Sequence, residues 1–143
     1  MGESERLEQA IPGVYKTLAA AEVIAFAVVF GPFVDASAAT PADIDIAVKF
    51  SDELASDERF HELCWLSGHL QASNRPFVDI ADIEQLPLAI AHDAVQGELV
   101  YGSEERFDAY RRQVEQTFAA RRETIRSAQQ ELIDRIADQG LHG

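Results

Sequence analysis

The chain has 143 residues, 47% of them hydrophobic and 26% charged, enough for one domain whose core needs no disulfide or structural metal. Twenty-five acids against twelve bases give a net charge of −13, which argues against a simple nucleic-acid binder, because phosphate contacts need a basic footprint. One cysteine, Cys64, excludes an internal disulfide framework, and no apolar run approaches the ~20 residues of a membrane span. The opening MGESERLEQA is acidic and polar, unlike a secretory signal. The expectation is a cytoplasmic protein without membrane or direct nucleic-acid contact. Ten of the twelve bases are Arg; high Asp, Glu and Ala with scarce Lys resembles halophilic proteins, whose surface acids stay solvated in concentrated salt.

In chain order, residues 3–22 carry Leu7, Ile11, Val14 and Leu18 at helical spacing, with Pro12-Gly13 expected to break or restart the helix. VIAFAVVF (23–30) is continuously apolar and β-branched, as a strand buried on both faces would be. Gly31-Pro32 ends it, and a loop of small residues leads to a second strand, DIDIAVKF (43–50). Ser51 or Asp52 is expected to cap a helix over 53–72 carrying Leu54, Phe60, Leu63, Leu66 and Leu70, with Cys64 in the core. FVDIADI (77–83) reads as a third strand, 86–95 as a short helix, and ELVYG (98–102) as an edge strand. Ser103 then caps a long C-terminal helix to 138. The fold class is α/β (α+β): a small mixed sheet flanked by helices, in one domain spanning 1–143.

The last helix differs in charge. Residues 103–143 hold seven Arg against eight acids, a net of −1, whereas 1–102 hold 17 acids and five bases, a net of −12. Phe107, Tyr110, Val114 and Phe118 form a strong apolar stripe that thins to Ile125, Leu132 and Ile136. Two outcomes are open: the second half projects toward a partner, including a second copy of the chain, or it bends back onto its own domain.

Asp43 and Asp45 open the second strand. Alternation points both to one side while Ile44, Ile46 and Val48 point to the other. Two adjacent carboxylates repel, and a divalent cation such as Mg²⁺ resolves the conflict; solvated acids at an exposed strand tip are the alternative. Asp79, in the third strand, offers another carboxylate, and three carboxylates can hold a pair of metals for phosphoryl or nucleotidyl transfer. Asp82 has the opposite parity to Asp79 in a regular strand, so the two cannot both face the site, and Asp79 is chosen because it lies deeper in the strand. Lys49 shares the parity of Asp43 and Asp45 and either neutralises their charge or pairs elsewhere. His61, His69 and His92 make no metal-ligand spacing.

Gly31-Pro32, then ten residues (33–42), then Asp43-Ile44-Asp45 and a later strand with Asp79 resembles the motif of the DNA polymerase beta-like nucleotidyltransferases. The ending ATPADIDIAV and the stretch VDIADIEQLPLAIAHDAVQGELVYGSEERFDAYRRQVEQTF (78–118) are similar to the small members called minimal nucleotidyltransferases. The resemblance implies a nucleotidyltransferase fold in which Asp43, Asp45 and Asp79 act as catalytic, metal-holding carboxylates for Mg²⁺ in a two-metal site, with ATP as substrate. It implies that the Gly31-Pro32 turn lies on the triphosphate, and many such proteins are antitoxins of HEPN-domain ribonuclease toxins, some transferring AMP to a toxin tyrosine. Pro32 stands where the family has Ser, Asp35 where it has Arg and Ala36 where it has Gly; each change weakens triphosphate binding. Ser37 and Thr40 are the loop hydroxyls available to replace the missing one. Two readings follow: an enzyme that adenylylates a partner protein, and a catalytically impaired form that neutralises its toxin by binding. Transfer to a small molecule is a third, disfavoured because no second domain is present to hold one.

Overall fold

In the computed structural model, residues 3–35, 43–71 and 77–139 are described. The continuous apolar run becomes β1 (Ile24–Phe30), flanked antiparallel by β2 (Ile44–Phe50) and β4 (Glu98–Gly102), and β2 is paired in parallel with β3 (Val78–Asp82). The sheet is mixed, in the order β3-β2-β1-β4, with β4 at an edge. A parallel pair needs a crossover, and α4 (Ser56–Leu70) supplies it between β2 and β3.

The helical pattern at the N-terminus divides where Pro12-Gly13 interrupts it, into α1 (Glu3–Ala10) and α2 (Val14–Ala20). Both pack with α4 on one face of the sheet, where Leu7, Leu18, Leu66 and Leu70 meet Ile44, Ile46, Val48 and Phe50. On the other face α5 (Leu88–Val95) and the start of α6 (Glu104–Gln139) bring Ala94, Val95, Phe107 and Val114 against Phe26, Val28 and Ala47. An irregularity between Ile24 and Phe26 shifts the parity of β1, so Ile24 faces the first layer and Phe26 the second. Phe26 then packs edge-on against Phe107 and tilted against Tyr110.

Several expectations change. The segment after Gly31 is not all loop: Pro32–Asp35 form one helical turn, α3, with Pro32 at the first helical position, where a missing N–H costs nothing within the helix. Helix α4 starts at Ser56, not 53, because Glu58 reaches back to accept the Ala55 N–H at 3.1 Å and closes the first turn there. Leu54 packs on the core from the preceding turn. Phe60 is 65% exposed, and Cys64 is exposed rather than buried; helical spacing alone did not tell the inner stripe of Leu63, Leu66 and Leu70 from its neighbours. Ser103 does cap α6, its hydroxyl accepting the Arg106 N–H at 3.1 Å. Of the two fates open to that helix, projection is the one observed: every residue from 119 to 139 is exposed. No helix among the described residues is long and apolar enough to cross a membrane.

Burial raises the Tyr110 hydroxyl to about 12, and the charges of Glu84 and Asp82 add to the effect. The stability this group contributes is complete below its ordinary value of 10.0 and is lost as pH rises toward about 12. In a titration followed by phenolate absorbance, Tyr110 is expected to ionise near pH 12, above the ordinary tyrosine value of 10.0. Tyr110→Phe is expected to remove that step; a step near pH 12 that survives the substitution would overturn its assignment to Tyr110.

Candidate active site

Three acids gather at the start of β2. Asp43 is exposed immediately before the strand, and Asp45 is half-buried at its second position. Parallel pairing sets Asp45 directly beside Asp79 of β3, and strands lie about 4.8 Å apart, so two carboxylates on neighbouring strands stand within reach of one cation. Burial first, then the charges of Asp79 and Asp43, hold the Asp45 carboxyl above its ordinary range. Among the described residues no trio of His, Cys, Asp or Glu already closes around a metal position. The donor set is nonetheless one of hard carboxylate oxygens, the kind Mg²⁺ takes while keeping waters or phosphate oxygens in its remaining positions.

Gly31 completes the cluster. It turns the chain out of β1 with φ of +79°, and a Cβ built there would lie 2.6 Å from Asp45 Oδ2. The turn therefore needs glycine twice over, once for its backbone and once for the carboxylate that fills the space of a side chain. Pro32 follows at the head of α3 and offers no N–H toward the site. Ser37, Thr40 and Ala36 lie outside the described residues, as does the side chain of Asp35.

A cleft of about 280 Å³ opens beside this turn, lined by Phe30, Gly31, Val34, Asp93, Gln96 and Gly97. Sequence reasoning missed Asp93 and Gln96. They reach the cleft because α5 packs over β1, and no local spacing reports that.

The other charged residues of the sheet are arranged apart. Lys49 shares the parity of Asp45 but lies four residues along β2, roughly 13 Å away. Its ammonium is 2.8 Å from Asp52 and 3.1 Å from Glu84, and it donates to the Phe50 carbonyl at 2.9 Å. Burial lowers its affinity for the proton, but the bonds to Asp52 and Glu84 outweigh that and raise it. Asp82 is buried on the opposite face from Asp79, accepts the Glu84 N–H at 3.0 Å, and lies 3.3 Å from Arg59 Nε. These groups brace β3 and α4. His69 stacks on Trp65 and His92 on Phe118.

Comparisons with known proteins place the fold. One solved toxin–antitoxin structure with AMP-PNP aligns with a TM-score of 0.56 at 16% identity, covering 85% of this chain and 97% of the other. The toxin–antitoxin MntA–HepT aligns with a TM-score of 0.53 at 18% identity, covering 85% and 92%. A third, a tri-AMPylated Shewanella oneidensis HEPN toxin in complex with an MNT antitoxin, gives 0.50 at 16% identity, covering 94% and 95%. At these identities the likeness is one of fold. No curated protein matches the sequence significantly. The family profile described as polymerase beta, nucleotidyltransferase matches residues 14–106, a span that holds the Gly31 turn and all three aspartates, and the chain belongs to that nucleotidyltransferase family.

Proposed function

We propose that the chain is a minimal nucleotidyltransferase that acts as the antitoxin of a HEPN-domain toxin, transferring AMP from ATP to a hydroxyl on that partner. The observation that carries the reading is the register of β2 and β3, which sets Asp45 beside Asp79 with Gly31 packed on the Asp45 carboxylate. Asp43, Asp45 and Asp79 would hold Mg²⁺, which supplies charge neutralisation for the triphosphate and the departing pyrophosphate. The Gly31 turn lets the substrate approach the carboxylates closely. The acceptor oxygen displaces pyrophosphate from the α-phosphorus, and its proton passes to a carboxylate of the trio. The solved relatives support the choice of partner and nucleotide, since their descriptions name a HEPN toxin, AMP-PNP and AMPylation.

A second reading has its own observation. Pro32 opens α3, so the first helical N–H, a natural contact for phosphate, is missing, and the sequence carries Asp35 where the resembled family has Arg. Losing a hydrogen bond to a charged group costs on the order of 1.5–3 kcal/mol. In this reading the protein silences its toxin by binding alone, its excess of acids covering a basic RNA-binding surface. Calorimetric titration of ATP in high salt, with and without Mg²⁺, separates the two. The enzyme reading expects Mg²⁺-dependent binding; folded protein that binds no ATP in either condition would leave the binding-only antitoxin.

A further inference from the structure

Helix α6 is 36 residues long, about 54 Å, and its contact with the body ends at Phe118, which stacks on His92. Beyond that point the helix is exposed on every side, yet it is not uniformly polar. At 100° per residue Phe118, Ile125, Leu132 and Ile136 fall within about 40° of one another. Ile125 is 50%, Leu132 53% and Ile136 44% exposed. Their spacing of seven and four residues fits a heptad seam: Phe118, Ile125, Leu132 and Gln139 at one core position, Arg122, Gln129 and Ile136 at the other. Within the helix Glu123 pairs with Arg126 and Gln130 with Asp134, both off the seam, while the Arg122 guanidinium lies 6.0 Å from the centre of the Phe118 ring at the head of the seam.

Charge decides the occupant. Residues 119–129 carry three Arg and one Glu, a net of +2; residues 130–139 carry three acids and one Arg, a net of −2. We propose that residues 119–139 form an antiparallel two-helix arm with the same segment of a second copy of this chain. In this arrangement Ile125 packs on Ile136 of the other copy, Leu132 on Gln129, and Arg122 on Gln139. The positive half of each helix lies along the negative half of the other, and the stem of Arg126 covers Ile133. A parallel pair would instead stack Arg122 on Arg122 in the seam and align like charges along the whole arm.

Sedimentation of the full chain over a range of concentrations tests the pairing. The wild type is expected to dimerise, and Ile125→Glu/Leu132→Glu, at exposed positions of the projecting half, is expected to remain monomeric with unchanged melting of the body. A wild type that stays monomeric, or a variant that still dimerises, overturns the proposal. Orientation is read by disulfide trapping in a Cys64→Ser background. Ile125→Cys mixed with Ile136→Cys is expected to give the mixed disulfide, whereas Ile125→Cys alone should give none, because its two copies lie about 16 Å apart along the arm. A disulfide between two Ile125→Cys chains would overturn the antiparallel arrangement.

Discussion

Replacing Asp45 by Asn is expected to abolish Mg²⁺-dependent ATP binding and, at the same time, to make the metal-free protein more stable. The two effects share one cause. Asp45 is held above the ordinary carboxylate range by burial and by the charges of Asp79 and Asp43, so its ionised form is the one that costs stability. That cost is absent at acid pH, where the carboxyl is protonated in both folded and unfolded chains, and it grows as pH rises through the folded value. Asparagine keeps the shape and removes the charge. Because Asp45 is only half-buried, solvent screens much of the repulsion, and the gain at neutral pH is about half a kcal/mol, or roughly 2 °C of melting temperature. The loss of binding is far larger. Deleting a group that only orients a metal ligand costs about 10–100-fold, and deleting the ligand itself should cost no less than the upper end of that range. Calorimetry and a thermal melt on the same variant read both. Undiminished ATP binding would remove Asp45 from the site, and a lowered melting temperature would mean that the carboxylate makes structural bonds outweighing the repulsion.

The motif was legible because it is local. Asp43 and Asp45 share a face by alternation, and the ten-residue spacing from Gly31-Pro32 lies within one stretch of chain. Strand partners are another matter. The apolar runs of β1 and β2 announce strands, but nothing in them says that β2 pairs antiparallel with β1 and parallel with β3, and it is the parallel pairing that sets Asp79 beside Asp45. The helix over 56–70 shows the same limit on a smaller scale. Its periodicity is visible, yet the side chain that starts it is Glu58 reaching back to Ala55, and Ser51 and Asp52 are better caps by residue type than Ala55. Lys49 was open between two partners until Glu84 and Asp52 came within reach through the fold. Asp93 entered the cleft through α5 packing, a contact between distant segments that leaves no mark on local sequence.

Gly31→Ala is expected to disable the nucleotide site while every carboxylate remains in the chain. Two effects act at this position. An alanine at φ of +79° carries backbone strain of about 1–2 kcal/mol. Its Cβ would also lie 2.6 Å from Asp45 Oδ2, and the flexible carboxylate is the group that yields, rotating away from its place beside Asp79. Gly13 separates the two effects, since it has nearly the same φ, +83°, but a Cβ there meets nothing within 4 Å. Gly13→Ala should therefore lose similar stability, a few degrees of melting temperature, and bind Mg²⁺-ATP as the wild type does. Gly31→Ala should lose that stability and at least tenfold in affinity, about 1.4 kcal/mol. Equal binding by the two variants would mean that the position of the Asp45 carboxylate against the turn is not what the site depends on. A loss confined to Gly31→Ala would tie nucleotide binding to the contact in which the Asp45 carboxylate fills the space that a side chain at the turn would take.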